Sequence, residues 1–456
     1  MFKRNSISLT EGNIYYALLC FTLPIILGSL IQQLYVMADA VIVGQFTGKA
    51  GLAAIDSVHT LFKFPINFMN GLASGVAILI SGYYGAKDRD ALHCSIRTAL
   101  TIAFVLGAVC SVMGVVLTPL FMRWLSVPGD IVLQTESYTW IYFSGLWAMV
   151  IYNMSAGILR AFGDSKRPLY VLVLCSLLNI VLDCVLVGVF GFGVRGAAAA
   201  TVLAQIISAL LCLRMLAQTE RAGGQVRIWH LHFCREHMSA MLRTGLPLAL
   251  QSVLFPIANT IVQSSINSMG TDVIAAWGIC DKLDMLIWLV ADSIGPALTT
   301  YTAQNIGAGK FGRVRRGALA GAAMSVGCVA AISLVLYFMT GFFGSFFIDS
   351  REAAAVLPIS VRCMKLMAPF FVFYALGEAL SGVCCGTGET IRPMVTTLIS
   401  ICLLRVLLIW FVFPAFSSIE CITWIYIISW IAVGTSFSLM AFSRLGKFYS
   451  ELCVKM

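Results

Sequence analysis

The sequence predicts an all-α membrane protein of 12 transmembrane helices, arranged as two pseudo-symmetric six-helix lobes in parallel repeat. Three observations carry this prediction. The 456 residues are 59% hydrophobic and only 11% charged, with mean hydropathy +0.91, whereas a soluble domain is about 45–50% apolar and about 25% charged. That composition excludes a soluble enzyme, a nucleic-acid binder and a disordered chain. The apolar residues come in long unbroken runs, such as 98–117 and 395–413, rather than the roughly 10-residue stretches of alternating polarity of a β-barrel. The two halves of the chain also repeat each other, as set out below.

A membrane helix needs about 20 apolar residues and short connections add roughly 10–15 more, so this length holds about twelve spans. Charged punctuation delimits them. The first run, near 15–43, is parted from the second, 52–83, at Lys49. Lys87 and Arg89 precede the third, 95–119, and Arg123 the fourth, 131–158. Lys166 and Arg167 open the fifth, 168–189, and Arg195 the sixth, 196–217. In the second half the runs lie near 243–267, 274–304, 316–339, 355–384, 393–414 and 422–443, parted among others by Lys310, Arg351 and Arg392. The domains expected are an N-terminal lobe over 1–217, a cytoplasmic linker over 218–242 and a C-terminal lobe over 243–456. The only long polar stretch is this linker region, with Arg214, Arg221, Arg227, Arg235, Arg243 and the histidines His230, His232 and His237. It reads as a solvated connection rather than a metal site, since no carboxylate or cysteine cluster completes the set in sequence.

Orientation follows from the basic residues. Both termini and the even-numbered loops hold 19 Lys and Arg, including Lys3, Arg4, Lys87, Arg89, Lys310, Arg313, Arg392 and Arg444; the odd-numbered loops hold only Lys49, Arg123, Arg195 and Arg351. Both ends are therefore expected in the cytoplasm, the chain being a multi-pass protein of the cytoplasmic (inner) membrane. The first apolar segment is too long for a signal peptide and lacks a small-residue cleavage site after it, so it is expected to stay as the first helix. The 15 cysteines mostly lie inside apolar runs (Cys110, Cys175, Cys328, Cys402) or as the pair Cys384–Cys385. With no CxxC pair or zinc spacing, they read as small packing residues.

Leu23-Pro24 recurs as Leu246-Pro247, an offset of 223, and Leu52-Ala53-Ala54-Ile55 as Ile274-Ala275-Ala276-Trp277, an offset of 222. Gly85-Ala86-Lys87 returns as Gly307-Ala308-Gly309-Lys310 at 222, and Gly163-Asp164 with Arg167-Pro168 as Gly388-Glu389 with Arg392-Pro393 at 225. Four matches in order at nearly one offset define a repeat. Six spans return the chain to the same side, so the repeats are parallel, related by an axis along the membrane normal. Such paired repeats are a common construction of alternating-access carriers.

The same residues carry a family resemblance. Pro24, Leu34-Tyr35, Asp39 through Val43-Gly44, and Leu52-Ala53-Ala54 resemble the opening of the multidrug and toxic compound extrusion (MATE) family. Ala303-Gln304-Asn305-Ile306-Gly307-Ala308-Gly309 and the turn before Arg392-Pro393 are similar to later motifs of that family. The resemblance spans the chain; Ser81-Gly82-Tyr83-Tyr84 departs from it, standing where the family usually has a Gln before its Gly-Ala turn. It implies two six-helix lobes and export of drugs or metabolites driven by inward H+ or Na+, with no cofactor beyond that coupling ion.

Ionisable groups at membrane depth cost about 3 kcal/mol each on insertion scales and are functional candidates. Asp39 falls in the outer part of the first helix. Asp183 lies about 22 Å along the fifth at 1.5 Å per residue, with Asn179 one turn deeper on the same face. Thr201 stands near the outer start of the sixth. The four converge on one level of the first lobe. Two carboxylates close together in low dielectric need a shared proton or a small cation between them, and oxygen ligands suit H+ and Na+ alike. The resemblance implies the same: Asp39, Asn179, Asp183 and Thr201 match the cation site of the DinF-like branch of the family. Applying the offsets, Asp39 maps to Val262 and Asp183 to Leu408, with Arg405 nearby, so cation coupling is expected in the N-terminal lobe.

Pro24 removes a helical hydrogen bond and permits a kink, the expected conformational link to Asp39. Gln32, Tyr35, Asn153 and Gln205 are candidate substrate contacts in the first lobe, and Asp292 and Glu378 in the second. Asp281, Asp284 and Asp292 form a stripe with Trp288; for the first two, pairing with Lys282 or Arg405 is expected. Asp56, His59 and Lys63 read as a local network.

The function these features support is a secondary active antiporter exporting organic, lipophilic cationic compounds in exchange for inward H+ or Na+. The expected partners are small-molecule substrates and the lipid bilayer, without nucleic acid, the chain acting as a monomer. The alternative of the same class is a flippase of a lipid-linked precursor, which would need more basic residues at membrane depth than Lys63 and Arg405. A membrane-embedded enzyme ranks lower, because paired Asp-rich motifs, HExxH and Ser–His arrangements are missing from the sequence. No GxxxxGK[ST] motif couples the chain to ATP.

Overall fold

The computed structural model describes residues 8–219 and 233–455, and every regular element among them is helical. The first stretch, α1 (Ile14–Ala86), comprises two helices that meet at Gly48 and correspond to the first two expected spans. Its 73 residues would extend about 110 Å at 1.5 Å per residue, against about 30 Å of hydrocarbon. The trace breaks at Gly48, whose φ of 69° and ψ of −167° a residue with a Cβ resists.

Next come α2 (Arg89–Trp124), α3 (Val132–Ala161) and α4 (Lys166–Asp183). The Asp88 carboxylate caps α2 by accepting from the Ala91 N–H at 3.1 Å. α4 passes directly into a π-helical segment, Cys184–Val189, and α5 (Gly193–Ala217) closes the first half. α6 (Arg235–Asn267) begins within the stretch read as linker, ahead of the expected start near 243. Arg221, Arg227, His230 and His232 lie outside the described residues.

α7 (Thr271–Gly307) and α8 (Phe311–Gly344) follow. The expected tenth span is interrupted by a tight turn at Ala368–Phe370, which separates α9 (Ser350–Met367) from α10 (Phe371–Gly386). The eleventh is α11 (Ile391–Thr397), a π-helical segment Leu398–Leu403, α12 (Leu404–Phe411) and the single turn α13 (Phe413–Phe416). α14 (Ile419–Lys455) runs past the expected end near 443.

Ten helical stretches among the described residues are long and apolar enough to cross a membrane, α1 counting once. α7 has the length but carries Asp281, Lys282, Asp284 and Asp292, and is not among the ten. A total of twelve thus requires two crossings by α1 and one by α7.

The chain divides into two compact units, one holding Leu23–Ala249 and the other Ser8–Thr22 with Leu250 onward. The boundaries fall at or beside the repeated Leu-Pro steps, so α1 and α6 each start in one unit and continue in the other. In the first unit, buried Val76, Ile80, Ile96, Leu100, Leu159 and Leu216 form the core. Small residues bring two backbones together there: a Cβ on Gly75 would stand 2.2 Å from Gly245 Cα, and the Thr244 hydroxyl donates to Gly75 O at 3.2 Å. Close approach through small residues is how membrane helices associate without a hydrophobic drive. In the second unit, Val262, Ile287, Phe371, Ile425 and Trp430 are fully buried. The segment before α1 is held to this unit by Asn305 Nδ2 donating to Leu9 O at 3.1 Å and Arg313 Nη1 to Gly12 O at 2.8 Å.

Candidate functional site

Three helices of the first unit bring Asp39 (α1), Asn179 and Asp183 (α4) and Thr201 (α5) together. The one-turn spacing on α4 puts Asn179 and Asp183 on one face, and Asp183 is the last residue before the π-helical segment. Such segments recur at functional positions. Asn179, Asp183 and Thr201 are buried, with Asp183 at 0% exposure; Asp39 is half-buried. The Asn179 amide satisfies both neighbours when its nitrogen donates to Asp183 Oδ2 at 2.8 Å and its oxygen accepts from the Thr201 N–H at 3.2 Å. The Thr201 hydroxyl lies 3.4 Å from the same amide.

The Asp39 and Asp183 carboxyls interact directly across the cluster. Asp39 Oδ1 and Asp183 Oδ1 are both buried without a hydrogen-bond partner. A buried polar atom left unpaired costs about 1–3 kcal/mol, more if charged. The donor set is therefore incomplete on its acceptor side: two carboxyls, an amide and a hydroxyl face one another with no Lys, Arg or His among them. This chemistry fits a proton or a hard cation.

Tyr35 stands beside Thr201 and Asp39, and Gln205 beside the Tyr142 hydroxyl. Both join the cluster from its edge. Gln32 is exposed on α1, about 10 Å along the axis from Asp39. Asn153 is half-buried on α3, about 16 Å along the axis from Tyr142, so it stands apart. Pro24 is buried within α1. Sequence reasoning missed Tyr138 and Tyr142 of α3: Tyr138 lies within reach of both carboxyls and Tyr142 of Asp39, and both pack at a tilt against Phe62, Tyr142 at 4.2 Å between ring centres. Their one-turn spacing was the available signal. His59 lies within electrostatic reach of Asp56 and Lys63.

The second unit carries a different arrangement. The Tyr374 hydroxyl donates to Asp292 Oδ1 at 2.9 Å, and Glu378, one turn further along α10, faces the same carboxylate. A Cβ on Gly295 would stand 3.3 Å from the Glu378 carbonyl, so the glycine lets α7 and α10 close on the pair. Trp288 packs edge-on against Tyr374 with centroids 4.3 Å apart. The expected pairing of Asp284 with Arg405 does not occur. Asp284 meets the Trp288 indole, and its Oδ1 has no partner. Arg405, fully buried, instead donates to Ser429 Oγ at 2.8 Å and Asn259 Oδ1 at 2.9 Å, with its guanidinium 4.1 Å from the centre of the Tyr426 ring. Those neutral partners lie on α6 and α14, which sequence spacing does not connect to Arg405. Lys282 lies over the Phe347 ring at 5.1 Å.

The family model MatE matches the chain twice, over residues 24–185 and 247–411. The protein belongs to the MATE family of multidrug efflux transporters. The two matches begin at the repeated prolines, in register with the offsets read from the sequence. Over 399 residues the chain is 27% identical to "Probable multidrug resistance protein YoeA" of Bacillus subtilis (strain 168), covering 86% of this chain and 85% of that one. Solved structures of a MATE protein in a bent and in a straight conformation superpose with TM-scores of 0.90 and 0.89 at 22% identity; each covers 98% of this chain, and the match extends over 99% and 100% of theirs. This MATE protein is accordingly an all-α, multi-pass membrane transporter of small molecules built on a two-lobe repeat. Transport in the family is ion-coupled and needs no cofactor, and its members are not enzymes.

Proposed function

We propose that this MATE protein is an antiporter that exports organic, lipophilic cations in exchange for inward H+ or Na+. The coupling cation binds in the N-terminal lobe at Asp39, Asn179, Asp183 and Thr201. The observation that carries this reading is the buried carboxyl pair with one unpartnered oxygen on each side and no basic residue beside it. With a proton or Na+ in place, the two carboxyls can remain together; without it, two negative charges in low dielectric repel. Asp39 sits on the stretch of α1 between Pro24 and the break at Gly48, so this stretch can tilt as a unit when the pair is neutralised or released. The existence of bent and straight forms of the same fold supports such a motion. Each inward charge gains about 2.3 kcal/mol per 100 mV of membrane potential and each exported monovalent cation costs the same, so a one-for-one exchange is driven by the concentration gradient of the coupling ion.

Substrate is contacted by Gln32, Tyr35, Asn153 and Gln205 in the N-terminal lobe and by Asp292 and Glu378 in the C-terminal lobe. The acidic and aromatic character around Asp292, with Trp288 and Tyr374, favours a lipophilic cation. The chain crosses the cytoplasmic membrane twelve times as a monomer, with both ends in the cytoplasm, the linker of 218–242 joining the lobes on that side.

The test is efflux of a fluorescent lipophilic cation from proteoliposomes under an imposed Na+ gradient and then a pH gradient, for the wild type and Asp183→Asn. Transport driven by one gradient and lost in the variant is expected. Transport indifferent to both gradients would overturn the antiporter and favour a flippase. Equal coupling in the variant would move the site out of the N-terminal lobe.

A further inference from the structure

We propose that Cys94, Cys234 and His237 form a second, chemically distinct cation site in the N-terminal lobe, one that binds a thiophilic metal ion of the Zn2+ class. In sequence only Cys234 stands among the histidines of the linker region, too few ligands for a motif. The fold supplies Cys94 as a further ligand. Cys94 lies in the second turn of α2, beyond Lys87 and Arg89, while Cys234 and His237 stand three residues apart at the start of α6. One ligand atom of each lies within 4.8 Å of the others, and all three residues are half-buried.

Tetrahedral zinc at about 2.3 Å to sulfur and about 2.0–2.1 Å to nitrogen sets its ligands roughly 3.3–3.8 Å apart. Closing the triangle takes side-chain movements of about 1 Å. The surroundings hold the ligands in place. The Cys234 N–H donates to Thr98 Oγ1 at 3.4 Å, fixing the backbone ahead of α6 against α2. His237 Nδ1 is 2.9 Å from Ser95 Oγ, and Tyr83 packs edge-on against the ring at 5.6 Å. Engagement of Nδ1 leaves Nε2 as the metal ligand, the way a partner outside the coordination sphere commonly orients a ligating histidine.

Two thiolates and an imidazole select a soft or borderline ion, whereas the oxygen cluster around Asp183 selects a hard one. The two sites therefore do not compete for the same cation. On binding, the two thiols release their protons to solvent and form two metal–sulfur bonds; water completes the fourth position. The bound metal ties the start of α6, the entry to the second repeat, to α2.

The experiment uses the full-length protein in detergent, reduced and freed of metal with a chelator, and titrated with Co2+ as a spectroscopic probe. One Co2+ per chain with thiolate-to-cobalt charge-transfer absorption, displaced by one equivalent of Zn2+, is expected. The band should vanish in the Cys94→Ser/Cys234→Ser variant. In Ser95→Ala, which keeps all three ligands, affinity should fall by about 10–100-fold. Absence of the band in the wild-type protein would overturn the site, as would its survival in the double variant, given 15 cysteines in the chain. So would recovery of Cys94 and Cys234 as a disulfide from protein alkylated during purification.

Discussion

The two repeats share a fold but differ in charge at corresponding positions. In the first, Asp39 and Asp183 face each other with one buried oxygen each left unpartnered. In the second, the position of Asp39 is Val262, wholly buried in the core, and that of Asp183 is Leu408. The charged residue there is Arg405, held by Ser429, Asn259 and the Tyr426 ring, with only Nη2 lacking a partner. The π-helical segments lie on opposite sides of the charged residue: one follows Asp183 and the other precedes Arg405. A permanent cation anchored by neutral partners can be structural, since arginine stays charged. A carboxyl pair without a counter-charge responds to whatever cation is available. Under the proposed coupling, the asymmetry separates a responsive lobe from an anchored one.

The largest effects should fall on these two charges and differ in kind. Asp183→Asn should reduce gradient-driven transport to the level of protein-free vesicles while leaving thermal unfolding in detergent near wild type, because the amide keeps the shape and removes an uncompensated acid. Arg405→Met should do the reverse. It leaves half-buried Asn259 Oδ1 without its donor and should destabilise the protein by about 1–3 kcal/mol, read as a lower unfolding temperature, with transport surviving in the folded fraction.

A smaller change is expected for Asn179→Ala, which removes the donor to Asp183 Oδ2. That hydrogen bond stabilises the cation-free carboxylate by about 1.5–3 kcal/mol, so the half-saturating concentration of a coupling proton should fall about 10–100-fold. Gly48→Ala meets no neighbour within 4 Å but must adopt φ 69° with ψ −167°, a conformation open essentially to glycine alone; its cost of about 1–3 kcal/mol should appear as a lower unfolding temperature and a slower turnover. The smallest effect belongs to Tyr374→Phe, which loses the bond to Asp292. At about 0.5–1.5 kcal/mol it should weaken apparent substrate affinity up to about tenfold and leave the ion dependence unchanged.

Much of this organisation was legible in the sequence because a bilayer imposes simple rules. Long apolar runs mark helices, and the Leu-Pro and Gly-Ala matches mark the repeat. Asn179 and Asp183 were readable as a pair because helical periodicity alone puts them on one face, and depth counting brought Asp39 and Thr201 to their level. What periodicity does not encode is packing between helices distant in sequence. Tyr138 and Tyr142 reach the carboxyls from α3, and Arg405 finds Asn259 and Ser429 rather than the nearby aspartates. Cys94 meets Cys234 and His237 across more than a hundred residues. The division of α1 into the first two expected spans was legible as well, since the helix breaks at Gly48, beside the Lys49 that parts the two apolar runs.

The most direct test of the central claim runs the exchange backwards. Proteoliposomes holding the protein would be given an outward-to-inward substrate gradient, and the opposing movement of cation followed with radioactive Na+ and with an internal pH dye. Substrate-driven cation movement is predicted for the wild type and for Asp292→Asn at raised substrate, and none for Asp183→Asn. Undiminished cation movement in Asp183→Asn, with loss in Asp292→Asn even at saturating substrate, would contradict the account and assign coupling to the C-terminal lobe.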